Sequence, residues 1–259
     1  MTISLRDQVL VMMWRSISQT LRQPAMIIPP IVFPLILVGI NVGGLDAATK
    51  LPGFPADSYL DFAIAIPFMQ GALFASINAG SSLARDVSTG FLQRLALTPM
   101  VRVALLLGAL GGVMAVALVG AVIYLGFGFA AGLGVESGIA GVLVIVGLGL
   151  LIALGFAGLG AFIGLRTGSA EAVQGMFPLF FVFLFLSSVN LPRNLIEQDW
   201  FRTVATYNPV SYLVEGVRSL IIFGWDGEAL ALGFGFAMVL AVASVTLAAQ
   251  ALRTQLVRT

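Results

Sequence analysis

The sequence predicts an all-α membrane protein of six transmembrane helices, with an N-terminal interfacial helix and, between spans 5 and 6, helices that are either re-entrant or lie on the outer surface. Three observations carry the membrane prediction. Of 259 residues, 59% are hydrophobic and only 10% are charged, with a mean hydropathy of +1.04. A soluble domain has about 25% charged residues, so this chain lacks the polar side chains to cover a water-facing surface. Apolar runs of the roughly 20 residues that a span requires recur along the chain, and no segment between them is long enough to form a soluble domain.

The elements follow in order. Residues 1–24 read as an amphipathic helix, with Leu10, Met13, Ile17 and Leu21 at helical spacing on one face. Gln8, Arg15, Ser18, Gln19 and Arg22 lie opposite, with Trp14 near the boundary. A soluble helix would show the same periodicity, but its position directly before an apolar run favours the membrane surface. No A-x-A-like site closely follows that run, so the start does not read as a secretory signal. Span 1 covers about 25–43 and holds Pro29, Pro30 and Pro34, which predict a kink. A polar connection with Asp46, Lys50, Asp57 and Asp61 leads to span 2, about 60–83. The short polar segment 84–102 precedes span 3, about 103–131, which a turn near 134–138 joins to span 4, about 137–165. Span 5 is expected over about 172–189. A longer semi-polar region, 190–228, then leads to span 6, about 229–252. Gly108/Gly112, Gly128/Gly132 and Gly160/Gly164 are spaced to let helix backbones approach closely in lipid. Glycine is also simply frequent in spans, so these pairs support a packed bundle and nothing finer.

Charge sets the orientation. With the N-terminus inside and six spans, the inner segments hold nine arginines: Arg6, Arg15, Arg22, Arg85, Arg94, Arg102, Arg166, Arg253 and Arg258. The outer segments hold Lys50, Arg193, Arg202 and Arg218 together with nine of the twelve carboxylates. The positive-inside rule then places both termini in the cytoplasm.

Absent residues narrow the chemistry. Without Cys there is no disulfide or thiolate site, and without His the usual zinc sites and the Ser–His–Asp triad are excluded. The only lysine is Lys50, and no G-x-x-x-x-G-K-[ST] phosphate loop occurs. The chain has no basic run of the kind that binds nucleic acid. No cofactor or metal site is expected in this chain, and none of the residues form a recognisable catalytic set.

Two segments stand out. In 85–102 (RDVSTGFLQRLALTPMVR), Phe91, Leu92 and Leu95 form a short apolar face with charges around it, and Thr98-Pro99 ends the helix. A small apolar knob with a charged rim suits docking into a partner's groove, and a plain connecting loop is the other reading. In 208–222 (NPVSYLVEGVRSLII), Asn208 can cap a helix and Pro209 sits at its first position, where its missing N–H costs nothing. Val210, Leu213, Val214 and Val217 form a stripe, and Glu215 and Arg218 stand three apart, within pairing distance. This helix is either re-entrant or an amphipathic connector on the outer surface. On span 2, Gln70, Asn78, Ser81 and Ser82 share one arc of the helix, and Phe74 lies among them as a further path-lining candidate. Interhelical hydrogen bonding and contact with a transported substrate both account for such polar groups.

These segments carry a resemblance. Asp86-x-x-x-Gly90-x-Leu92-x-x-Leu95-x-x-Thr98-Pro99-x-x-Arg102 resembles the cytoplasmic loop of type 2 export permeases of ATP-binding-cassette (ABC) transporters. Asn208-Pro209 followed by Arg218 is similar to that family's motif between spans 5 and 6, and the daunorubicin-resistance-like permeases are the subgroup most resembled. One departure is Asp86 where the family often has Glu, followed here by the uncharged Val87 and Ser88. The resemblance implies a permease subunit of an exporter in the bacterial plasma membrane, moving a hydrophobic or amphipathic drug-like or lipid-like substrate outward by alternating access. It further implies that Arg85, Asp86, Gly90, Phe91, Leu92, Leu95, Thr98, Pro99 and Arg102 form a coupling helix and its flanks, seated on a separate ATPase subunit that holds the ATP and Mg. A second permease copy, identical or paralogous, would complete the path. Residues 190–228, with Asn208, Pro209, Glu215 and Arg218, would close its outer end.

Two other classes fit less of the sequence. A proton- or sodium-coupled secondary transporter or channel predicts ionisable residues near mid-membrane in matched halves. Here Glu215 is the nearest candidate and no inverted repeat is visible, so only the proline-rich span 1 points that way. An intramembrane enzyme would need a catalytic constellation that the missing His and Cys remove.

Overall fold

A computed structural model describes residues 4–96 and 101–257, and among these the chain is helical with no strand. Helix α1 (Leu5–Leu21) starts at Ser4, whose hydroxyl accepts the Asp7 N–H as an N-cap. A helical turn at Pro24–Met26 leads into α2 (Ile28–Leu45). A short α3 (Tyr59–Ala63) and a long α4 (Ala65–Ser88) follow, broken from each other at Ile64. Pro67 explains the break, because its ring crowds the carbonyl of Ala63 and it has no N–H to return. Then come α5 (Phe91–Ala96), α6 (Arg102–Ala130) and α7 (Gly138–Thr167). The expected fifth span, 172–189, is two shorter helices, α8 (Ala170–Gly175) and α9 (Phe177–Phe185), parted at Met176. Pro178 breaks them by the same mechanism acting on the carbonyl of Gln174. Helices α10 (Asp199–Tyr207) and α11 (Pro209–Ile222) precede α12 (Gly227–Val257).

Among the described residues, five stretches are long and apolar enough to cross a membrane: Ile28–Lys50, Tyr59–Ser88, Val103–Ala130, Gly138–Thr167 and Gly227–Leu256. Ala170–Phe185 is apolar but shorter. The nine residues of α9 rise only about 14 Å as a helix, roughly half of a ~30 Å hydrocarbon core.

Helix α4 is the most buried of the long helices, and its chief partner is α7. Small residues permit that contact. A Cβ on Gly80 would meet the Gly160 carbonyl at 2.5 Å, and one on Gly160 or Gly164 would run into the backbone of Ser76 or Gly80. Gly160/Gly164 is therefore a helix-packing pair, as its spacing predicts. Gly108 and Gly112 do the same for α1, which lies along α6 with Met12 and Ser16 seated on the two glycines. Gly128/Gly132 does not bring two helices together: Gly128 faces Leu133 and Ile64, and nothing lies near Gly132.

The amphipathic reading of α1 needs correction in detail. Leu10, Trp14 and Leu21 are exposed, as an interfacial helix requires. Its polar side, however, turns partly into the protein. Gln8 is buried, and its Oε1 accepts the Val101 N–H at 2.8 Å, capping α6 from another helix.

Candidate functional site

Two junctions and a groove concern function, and the first gathers at one end of α4. The helix ends in Thr89 and then Gly90, whose φ of +69° turns the chain into α5. A side chain with a Cβ would be strained there. The end carbonyl of Arg85 accepts from the Thr89 N–H (2.9 Å) and hydroxyl (2.7 Å), and Arg94 donates to the Thr89 carbonyl at 3.2 Å. Asp86 is buried and receives Arg15 of α1 in a two-pronged ion pair, at 2.7 and 3.1 Å. The same guanidinium lies 4.0 Å over the Phe91 ring. One arginine thus joins α1, α4 and α5, by charge on one side and cation–π contact on the other.

The three expected docking residues do not share one outward face. Leu92 is only 2% exposed and belongs to this chain's own core, whereas Phe91 and Leu95 are half-buried and Arg94 is exposed. Leu92 fastens α5 to the bundle. Phe91 and Leu95 both pack partly against that core, and Arg94 stays exposed beside them. Arg102 opens α6, and Thr98 and Pro99 lie outside the described residues.

The second junction surrounds α11. The Asn208 side chain accepts the Val210 N–H at 2.9 Å, capping the helix with Pro209 at its first position, and donates to the Phe183 carbonyl at 2.7 Å. Glu215 and Arg218 do not form the expected pair. Arg218 is 4% exposed and points into the protein, donating to the carbonyls of Phe62 (3.0 Å), Ser188 (3.0 Å) and Val189 (2.9 Å) and lying 3.4 Å over the Phe62 ring. Glu215 instead accepts from the Ser188 hydroxyl at 2.7 Å and forms an ion pair with Arg193, which also lies over Tyr212. Burial draws the Arg193 guanidinium down, but hydrogen bonding and charge from Glu215 outweigh it and leave its pKa above the ordinary value. The Asn208–Pro209 motif was legible in sequence. Arg193 was missed because its partner lies 22 residues away.

The span 2 residues separate as well. Phe74 and Asn78 line a groove of about 490 Å³ with Pro29, Phe33, Gln174 and Phe177. The Phe74 ring stands 6.1 Å from Phe33 and 5.7 Å from Phe177, and an aromatic file continues through Phe181 to Phe185. Asn78 donates to the Met26 carbonyl at 3.1 Å, so it also holds the approach to α2. Gln70 and Ser81 are buried away from this groove, with Gln70 Oε1 and Ser81 Oγ unpartnered among the described residues. No group of His, Cys, Asp or Glu that could hold a metal occurs among the described residues.

Residues 7–222 match a family model described as ABC-2 type transporter. No curated protein matches the chain. Permeases of that family pair with ABC ATPase subunits. The match covers most of the chain and includes both junctions and the groove, and the five long apolar helices agree with it. This multi-pass membrane protein, a permease subunit of an ABC-type transport system, belongs to the ABC-2 type transporter family.

Proposed function

We propose that this chain is the permease half of an ATP-driven exporter that moves a hydrophobic or amphipathic substrate outward by alternating access. Two permease copies flank the path, and two ATPase subunits bind below them. The excess of arginine in the segments at the α1, α5 and α7–α8 end favours that end as the cytoplasmic one.

The observation that carries this reading is the junction of Arg15, Asp86 and Phe91. A separate motor transmits work only through something stiff. Here α5 cannot move without pulling on α1 through Arg15 and on α4 through Asp86. Helix α4 is in turn pressed backbone to backbone against α7. Its opposite face bears Phe74 and Asn78 toward the aromatic groove, so a push on α5 reaches the groove wall through one nearly rigid rod. Chemistry agrees with an external energy source. The long spans offer few ionisable groups for a proton relay, and Arg218, the buried charge nearest the outer end, spends its donors on backbone carbonyls.

The test has two arms. The permease is co-expressed with a candidate ABC ATPase and purified. The complex should hold both subunits, and its ATP hydrolysis should rise with a transported amphiphile. Phe91→Asp, on α5, should lose the ATPase while the permease stays folded. A Phe91→Asp complex that keeps full substrate-stimulated hydrolysis sinks the coupling assignment. Topology is checked separately with Arg94→Cys, the sole thiol in the chain: a membrane-impermeant maleimide applied to intact cells should leave it unlabelled.

A further inference from the structure

Below the aromatic groove lies a second cavity of about 400 Å³, lined by Arg15, Arg85, Arg94, Asp86, Ser82 and Gln23 among others. The two cavities share Asn78. They differ sharply in chemistry. The upper one is walled by phenylalanines and prolines, and the lower one by arginines, amides and hydroxyls.

The lower cavity has an unbalanced charge. Among the described residues its only carboxylate is Asp86, and Arg15 already occupies both oxygens. Arg85 places Nε on the Ser81 carbonyl at 3.2 Å and one Nη on Gln23 at 3.5 Å, and Arg94 donates to the Thr89 carbonyl. Neither has a carboxylate partner among the described residues. Two guanidinium forks thus face one open pocket with donors to spare, the arrangement that recognises the oxygens of a phosphoester. The pocket's depth points to the source of that anion. One wall is α1, whose exposed Leu10, Trp14 and Leu21 mark the level of the membrane surface. The apolar groove that shares Asn78 with the pocket offers an acyl chain a place beside it. An acidic side chain of a protein partner would need the arginines but not the groove.

We propose that these two neighbouring cavities together form a binding site for an anionic phospholipid, with the phosphoester headgroup held by Arg85 and Arg94 and an acyl chain lying along Phe33, Phe74 and Phe177. This rests on the membrane orientation given above but not on ATP-driven export.

The experiment uses the full-length permease in detergent without ATP, so its outcome is separate from substrate-stimulated ATP hydrolysis, which tests the transport reading. Micelles are doped with equal amounts of phosphatidylglycerol and phosphatidylcholine of the same chain length, and native mass spectrometry counts the lipid retained. The wild type should prefer phosphatidylglycerol by on the order of tenfold, in line with the attraction of a pair of arginines to anionic lipid. R85Q/R94Q should reduce the preference to near unity and R85K/R94K should keep most of it, with gel filtration confirming folded protein. Phe74→Trp, which narrows the groove and leaves the charge intact, should lower retention of long-chain but not of short-chain phosphatidylglycerol. An unchanged preference in R85Q/R94Q overturns the site. Arginine-dependent binding of inorganic phosphate without any lipid preference overturns the lipid source. No lipid preference in the wild type, combined with loss of the ATPase subunit from R85Q/R94Q, would assign the pocket to protein contact instead.

Discussion

The Tyr124 hydroxyl on α6 donates to the Pro30 carbonyl on α2. Pro34 explains the contact. In an uninterrupted helix the N–H of residue 34 would bond the carbonyl of residue 30, but proline has none, so the carbonyl would be orphaned in an apolar interior. Tyr124, 3% exposed, supplies the missing donor and fixes α2 against α6. Proline tolerance in this span is thus a property of a neighbouring helix.

Removing that donor has a calculable cost. Tyr124→Phe leaves one buried carbonyl unsatisfied and should destabilise the protein by about 1–3 kcal/mol, read as a lower thermal midpoint in detergent. Pro34→Ala restores an N–H four residues after Pro30, so the same Tyr→Phe change should cost much less in that background. Equal costs in the two backgrounds would show that the hydroxyl does not serve this carbonyl.

The α4–α7 contact predicts a strong position dependence for small substitutions. Gly164→Ala and Gly160→Ala each push a methyl into the backbone of α4 and should cost about 1–3 kcal/mol as overpacking. Gly175→Ala, with nothing within 4 Å, should be close to neutral. Thermal melts of the three variants decide the matter, and a neutral Gly164→Ala would mean that the two backbones are farther apart than described.

Arg15 and Asp86 form a partly screened pair, with side chains 29% and 12% exposed. Arg15→Ala leaves the buried carboxylate unpaired and also uncovers Phe91, so it should destabilise by about 2 kcal/mol. The double variant Arg15→Ala/Asp86→Ala should recover part of that loss, because no charge remains buried. Under the proposed transmission path, neither variant should couple well: the permease–ATPase complex should assemble but respond weakly to substrate. Full coupling in the double variant would show that this pair is structural only.

Sequence legibility followed the range of each interaction. The Asn208 cap depends on residues within one helical turn, so local rules found it, and the Gly160/Gly164 spacing signalled close packing without naming its partner helix. The apolar face of α5 was visible, but which side of a two-turn helix meets the bundle is a tertiary question, and Leu92 answered it by turning inward. Spacing alone favoured a Glu215–Arg218 pair. The fold placed the two residues in different environments instead, one beside Arg193 and the other beneath α3. The expected single helix over 172–189 overlooked Pro178, whose effect reaches back to Gln174. Tyr124 carries no sequence signal beyond being a tyrosine in an apolar run.

The last prediction concerns Arg218, which ties α11 to α3 through Phe62 and to the adjacent Ser188 and Val189. Its charge is buried without a directly bonded carboxylate, so the carbonyl dipoles must stabilise it. Arg218→Ala removes three charge-assisted hydrogen bonds and the stacking on Phe62, and should cost on the order of 3 kcal/mol or more. Arg218→Lys keeps the charge but offers no planar fork, reaches fewer of the three carbonyls, and should recover only part of the loss. Arg202→Ala, at an exposed ion pair with Asp199, should change little. Thermal melts and yield of folded protein rank the three variants. If Arg218→Lys matched the wild type, the fork geometry would be irrelevant and the role of Arg218 would reduce to one of charge.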